Sequence, residues 1–129
     1  MGETIFVVDD DPDMLEVIEE ALVFKQYVVH RARDGQQAWE MLRDESPGII
    51  LADFQMPNLN GSELFDRVRG SHNNYATPFV FMSSTPELIT STGSYTVLRK
   101  PFNLDTLIQK LEWAITGEGK GNHSMNPSH

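Results

Sequence analysis

The chain has 129 residues, 40% hydrophobic and 22% charged, with a mean hydropathy of -0.34; this supplies one layered core, and no stretch approaches the roughly 20 apolar residues of a membrane span. A formal charge of -9 disfavours unassisted binding to nucleic acid or anionic lipid, because both need positive surface to displace counterions. With no cysteine, disulfides, thiolate metal sites and Cys nucleophiles are excluded, and Met1-Gly2-Glu3-Thr4 lacks the basic and apolar regions of a secretion signal, so the expected compartment is the cytoplasm.

Thr4-Ile5-Phe6-Val7-Val8 is a continuous apolar, β-branched run that stops at acid, as a strand buried on both faces does. Asp11-Pro12 then pairs a helix cap with proline at the first helical position, and Met14, Leu15, Ile18 and Leu22 follow at helical spacing. Tyr27 to His30 reads as a second strand, and Asp34 caps a helix that buries Ala38, Met41 and Leu42. Gly48 to Ala52 is a third buried strand, closed by Asp53. Pro57, Asn58, Asn60 and Gly61 mark the following loop, and Leu64, Phe65 and Val68 line the next helix. Pro78 to Met82 forms the fourth strand, a short helical segment covers Pro86 to Thr90, and a fifth strand lies near Tyr95 to Leu98. A last helix buries Leu104, Leu107, Ile108 and Leu111. Strands alternating with helices through short loops require crossover connections, so the class is α/β, doubly wound, with a parallel sheet and helices on both faces. The domain is expected over residues 3–116. Residues 117–129 are Gly, Asn, Ser, His and Pro with almost no apolar side chains, and are expected to be a disordered linker or tail.

Ligands in an open parallel sheet bind beyond the carboxyl ends of the strands. Here the first strand ends in Asp9 and Asp10, the third in Asp53, the fourth in Ser83 and Ser84, and the fifth leads into Lys100. Clustered carboxylates repel one another unless a cation neutralises them, and hard oxygen ligands suit Mg²⁺. A carboxylate attacks phosphorus to give an acyl phosphate, a displacement that needs positioning plus cations on the equatorial oxygens. Mg²⁺ and Lys100 are the cations, and the Ser83 hydroxyl is a donor to a further phosphoryl oxygen.

Val7-Val8-Asp9-Asp10, Asp53-Phe54-Gln55-Met56-Pro57 through Gly61, then Ser83, then Lys100-Pro101-Phe102 resembles the response-regulator receiver family in order and in placement at strand ends. The resemblance implies a flavodoxin-like (βα)5 fold with strand order 2-1-3-4-5. It implies that Asp53 is the phosphoacceptor and that Asp9, Asp10, Asp53 and the Gln55 main-chain oxygen hold Mg²⁺. It also implies a cis Lys100-Pro101 bond. Gln55 and Thr85 match the family positions that govern water access to the acyl phosphate. The implied partners are a histidine kinase or histidine phosphotransfer protein, which donates from phosphohistidine, and an output domain or partner protein. The sequence leaves the oligomeric state open; the face available for self-association is that of the fourth helical segment, fifth strand and last helix. The expectation is a conformational switch in a two-component phosphorelay that catalyses only its own phosphorylation and dephosphorylation.

The chain departs from that family in its second half. Only sixteen residues separate Ser83 from Lys100, fewer than in typical receivers, so the fourth helix is expected to be short. Val97 stands where the family carries an aromatic switch residue, and Tyr95, on the same side of a strand, is the candidate substitute. Two rival readings remain beside the switch. One is a receiver used as a scaffold without phosphorylation. The other is a small Mg²⁺-dependent phosphatase with Asp9 as the nucleophile and Asp11 as the acid. An EF-hand loop built on Asp9, Asp11 and Asp13 fails because Met14 occupies its glycine position.

Overall fold

The computed structural model describes residues 2–116; the expected tail at 117–129 lies outside them. In chain order the elements are β1 (Thr4–Val8), α1 (Pro12–Phe24), β2 (Val28–Ala32), α2 (Gly35–Leu42), β3 (Ile49–Asp53), α3 (Gly61–Arg69), β4 (Phe79–Ser83), a single 3₁₀ turn (Pro86–Leu88), β5 (Thr96–Arg99) and α4 (Leu104–Ile115). The sheet is parallel throughout, in the order β2-β1-β3-β4-β5. The fold is therefore the flavodoxin-like one, with its strand order reversing beside β1. The fourth helix is reduced to that 3₁₀ turn.

Local chemistry sets the element boundaries. Asp11 caps α1 by accepting from the Asp13 and Met14 amides, with Pro12 in the first turn. Asp34 caps α2 through the Gln37 amide, and Asn60 and Glu63 form a reciprocal capping box on α3. Strand β2 starts and ends later than the run Tyr27 to His30. The Tyr27 amide closes the end of α1 on the Leu22 carbonyl at 3.1 Å. The strand continues through Arg31 and Ala32 because they pair with Val7 and Val8 of β1. The polarity of Arg31 hides that extension, since its edge-strand side chain faces solvent.

Both faces of the sheet are covered. On one, Ile5, Val7, Leu51 and Met82 pack against Leu15 and Ile18 of α1 and Leu107 and Leu111 of α4. On the other, Phe6, Ile50, Phe79 and Phe81 pack against Ala38 of α2 and Leu64 and Phe65 of α3. Residues in β1, β3 and β4 are buried almost without exception. Each large side chain so buried contributes roughly 1.5–3 kcal/mol of transfer free energy. That burial fixes the register and with it the heights of the strand ends.

Candidate functional site

Beyond those ends, Asp9, Asp10 and Asp53 each place a carboxylate oxygen within 4.8 Å of the others. Asp9 follows β1, and its amide donates to the Ala32 carbonyl at 3.1 Å. Its Oδ1 accepts the Asp11 amide at 3.0 Å, while Oδ2 is buried without a hydrogen-bond partner. Asp53 terminates β3 and accepts Lys100 Nζ on Oδ1 at 3.2 Å. The same ammonium lies 3.7 Å from Asp9 Oδ2. Lys100 is held there from its backbone, because its amide donates to the Ser83 carbonyl at 2.8 Å. The Lys100-Pro101 bond is cis.

Electrostatics follow from this burial. Loss of solvent pushes the Asp9 carboxyl up to about 6, with the Asp11 amide opposing and the Asp53 charge adding to the rise. Burial also raises Asp53, against the pull of Lys100. Two buried carboxylates and the exposed Asp10 therefore face one ammonium. The uncompensated charge and the orphaned Asp9 Oδ2 fit a hard divalent cation such as Mg²⁺, which favours oxygen ligands.

The hydroxyls sit at the β4 end of the same site. Ser83 is buried, and its Oγ accepts the Thr85 amide at 2.9 Å, with Thr85 Oγ1 at 3.4 Å. Having accepted an N–H, Ser83 keeps its own proton for another acceptor. Ser84 and Gln55 are exposed. Asp11 is an α1 cap and not part of the carboxylate cluster.

Tyr95 and Val97 occupy a different neighbourhood. Val97 pairs in register with Phe81, and Tyr95, on the same face, meets the Phe81 ring at 5.2 Å and the Phe65 ring at 5.4 Å, both edge-on. Phe54, directly after Asp53, meets the Phe81 ring edge-on with centroids 6.0 Å apart. Sequence reading had not linked these rings, although the alternation of Phe79 and Phe81 puts both on one face. Gly61 stood out in sequence only as a loop marker and motif end; in the structure an added Cβ there would stand 2.5 Å from the Asp53 carbonyl oxygen. The site therefore needs glycine there for the close approach of α3.

Beside Lys100, between α1 and the β5–α4 loop, lies an open groove of about 770 Å³, with Met14, Val17, Phe102 and Leu104 among its walls. Among the described residues no helix is long and apolar enough to cross a membrane.

Known proteins resemble this chain in sequence and fold. Residues 5–112 match the family described as "Response regulator receiver domain". Response regulator GtcR of Aneurinibacillus migulanus is 32% identical over 108 residues, covering 80% of this chain and 43% of that protein. Transcriptional regulatory protein CrdR of Helicobacter pylori is 32% identical over 119 residues, covering 87% and 54% respectively. The chain thus spans about half the length of the curated relatives it matches. Among solved structures, the receiver domain of sensor histidine kinase PA1611 from Pseudomonas aeruginosa, with a magnesium ion coordinated in its active-site cleft, superposes with a TM-score of 0.82. That match has 26% identity and covers 90% of this chain and 99% of that one. Chemotaxis response regulator CheY4 of Vibrio cholerae shares the fold at a TM-score of 0.80 and 24% identity, covering 88% and 99%. With the acidic cluster at the strand ends, these matches show that the chain belongs to the response regulator receiver domain family, the phosphoacceptor switches of two-component signalling.

Proposed function

We propose that Asp53 is the phosphoacceptor of this receiver and that residues 3–116 form the switching unit. The observation that carries the reading is the Lys100 ammonium bound to Asp53 Oδ1 at 3.2 Å beside two further carboxylates. A free Asp53 oxygen attacks the phosphorus of a phosphohistidine whose other ring nitrogen carries a proton, the P–N electron pair passes to the ring, and neutral imidazole leaves, giving an aspartyl phosphate. Asp9, Asp10, Asp53 and the Gln55 main-chain oxygen would hold Mg²⁺, which when bound neutralises charge on the transferred group. Lys100 exchanges its Asp53 contact for a phosphoryl oxygen. Ser83 turns its hydroxyl proton to another, so each oxygen meets a donor or a cation. The transfer is stoichiometric.

Gln55 and Thr85 flank the acyl phosphate and set its lifetime by controlling the approach of water. Substituting either is expected to change dephosphorylation more than phosphorylation; equal changes in both rates would count against the assignment. The donor is a histidine kinase or histidine phosphotransfer protein, and the groove beside Lys100 offers it apolar footing from Met14, Val17, Phe102 and Leu104. Readout passes through the face built on the 3₁₀ turn, β5 and α4 to an output domain, partner or second copy, with Ser83, Tyr95 and Val97 as switch residues. The setting is the cytoplasm, and nucleic acid is contacted only by another domain.

The test is labelling by a small phosphodonor with Mg²⁺. Native protein is expected to take up one phosphoryl group per chain and Asp53→Asn protein none. Equal labelling of the two removes Asp53 from the role, and many turnovers of a phosphomonoester identify a phosphatase instead.

A further inference from the structure

The loop from β3 to α3 carries the Gln55 carbonyl, and the present inference rests on the proposal that this oxygen is a metal ligand. The loop is pinned at both ends. The Phe54 amide donates to the Met82 carbonyl at 2.8 Å, and the Gly61 amide returns to the Phe54 carbonyl at 2.9 Å. Its middle is less secured: Gln55, Pro57 and Asn58 are exposed, while Met56 and Leu59 are buried. A hydrogen bond from Asn58 Nδ2 to Asp34 Oδ2, 3.1 Å long, ties this middle to another element.

Both partners are set up for that bond. Asn58 has φ 67°, a left-handed conformation that asparagine tolerates better than most residues. Asp34 is already immobilised, since its other oxygen, Oδ1, accepts the Gln37 amide at 2.8 Å as the cap of α2. The neighbouring Gly35 packs so closely on the Leu59 carbonyl that a Cβ would collide with it. The β3–α3 loop is thus seated on the start of α2 by a close backbone approach and one charge-assisted hydrogen bond.

We infer that Asn58 is a positioning residue for the metal site, holding the Gln55 carbonyl in place through Asp34. Groups that orient metal ligands without touching the metal typically change affinity by about 10- to 100-fold when removed. An exposed bond belongs at the low end, so Asn58→Gly, which keeps the backbone conformation and deletes the amide, should weaken Mg²⁺ binding about tenfold. Asp34→Ser keeps the helix cap and removes the second acceptor, so it should do the same. If Asn58 acts through Asp34, the double variant binds no more weakly than the weaker single variant.

Calorimetric titration of Mg²⁺ into the full chain and these three variants, with the melting temperature of each metal-free protein, tests the inference. A shared loss of affinity, non-additive in the double variant and with the Asn58→Gly melting temperature unchanged, is the expected result. Native-like affinity of Asn58→Gly, or losses that multiply, overturns the positioning role while leaving the metal assignment standing. Failure of the native chain to bind Mg²⁺ overturns both.

Discussion

The strand-end site and the β4–β5 connection are built by different physics. At the site, groups far apart in sequence meet through short polar contacts, such as Lys100 on Asp53 at 3.2 Å. At the connection, the short fourth helical segment that was expected is a single 3₁₀ turn, and order comes from rings and carbonyls. Arg69 donates to the carbonyls of Thr77 at 2.7 Å and Ser94 at 2.8 Å, and its guanidinium lies 4.8 Å over the Phe65 ring. Tyr95 then packs edge-on against Phe65 and Phe81. Phosphoryl chemistry demands particular ionisable groups in fixed geometry, whereas a relay needs only packing with two stable arrangements. The first can therefore be intact while the second is rebuilt.

The largest expected effects test the first half of that contrast. Asp53→Asn should abolish labelling. Lys100→Ala should slow it by about 10²–10³-fold, the usual cost of removing one donor that stabilises developing charge. Labelling kinetics with a small phosphodonor measure both. If Lys100→Ala labels at the native rate, the ammonium is a structural partner of Asp53 only.

Next is the pH dependence of the metal-free protein. Asp9 titrates at 3.8 in an open chain and at about 6 when folded, so the folded state binds more protons between those values. Stability is therefore greatest below about 4 for this group and falls as pH rises through 6. The total is at most about 3 kcal/mol, from roughly two pKa units at 1.36 kcal/mol each. Denaturant midpoints measured from pH 4 to 7 should show the fall, and saturating Mg²⁺ should remove it. A flat profile without metal would show that Lys100 already compensates the buried charge.

A smaller effect is expected at the joint between site and scaffold. Gly61→Ala places a methyl 2.5 Å from the Asp53 carbonyl oxygen and 2.9 Å from Phe54 Cα, both backbone atoms. Relief requires α3 to move, at a cost of about 1–3 kcal/mol typical of overpacking. Labelling should slow as well, because the movement reaches Asp53. Lost stability with native labelling would mean that Asp53 is positioned independently of α3.

How far these features were legible in sequence follows the same division. Asp9, Asp10, Asp53 and Lys100 stood out because ionisable residues directly after apolar runs mark the carboxyl ends of parallel strands, where the fold collects ligands. The structure brings those four together. The Asn58 to Asp34 bond was invisible, because an exposed asparagine finds its acceptor only once the backbone turns to φ 67°. Arg69 was likewise silent, since its acceptors are carbonyls that any sequence carries. Alternation put Tyr95 and Val97 on one side of a strand, but the rings that Tyr95 meets come from α3 and β4, and only tertiary packing selects them.

The smallest expected effect bears on the second half of the contrast. Tyr95→Leu keeps an apolar side chain but loses two edge-on ring contacts, each worth about 0.5–1.5 kcal/mol beyond burial. Labelling should proceed at the native rate, because Tyr95 touches Phe65 and Phe81 and neither is among the carboxylates or Lys100. Phosphorylation-dependent dimerisation or partner binding should weaken if the ring relays the state of Asp53 through Phe81 and Phe54, whose rings are 6.0 Å apart. Unchanged association on phosphorylation would exclude Tyr95 from the switch. With Val97 in the usual aromatic position, the signal would then have to leave through Ser83 and Thr85, whose hydroxyls already lie 3.4 Å apart.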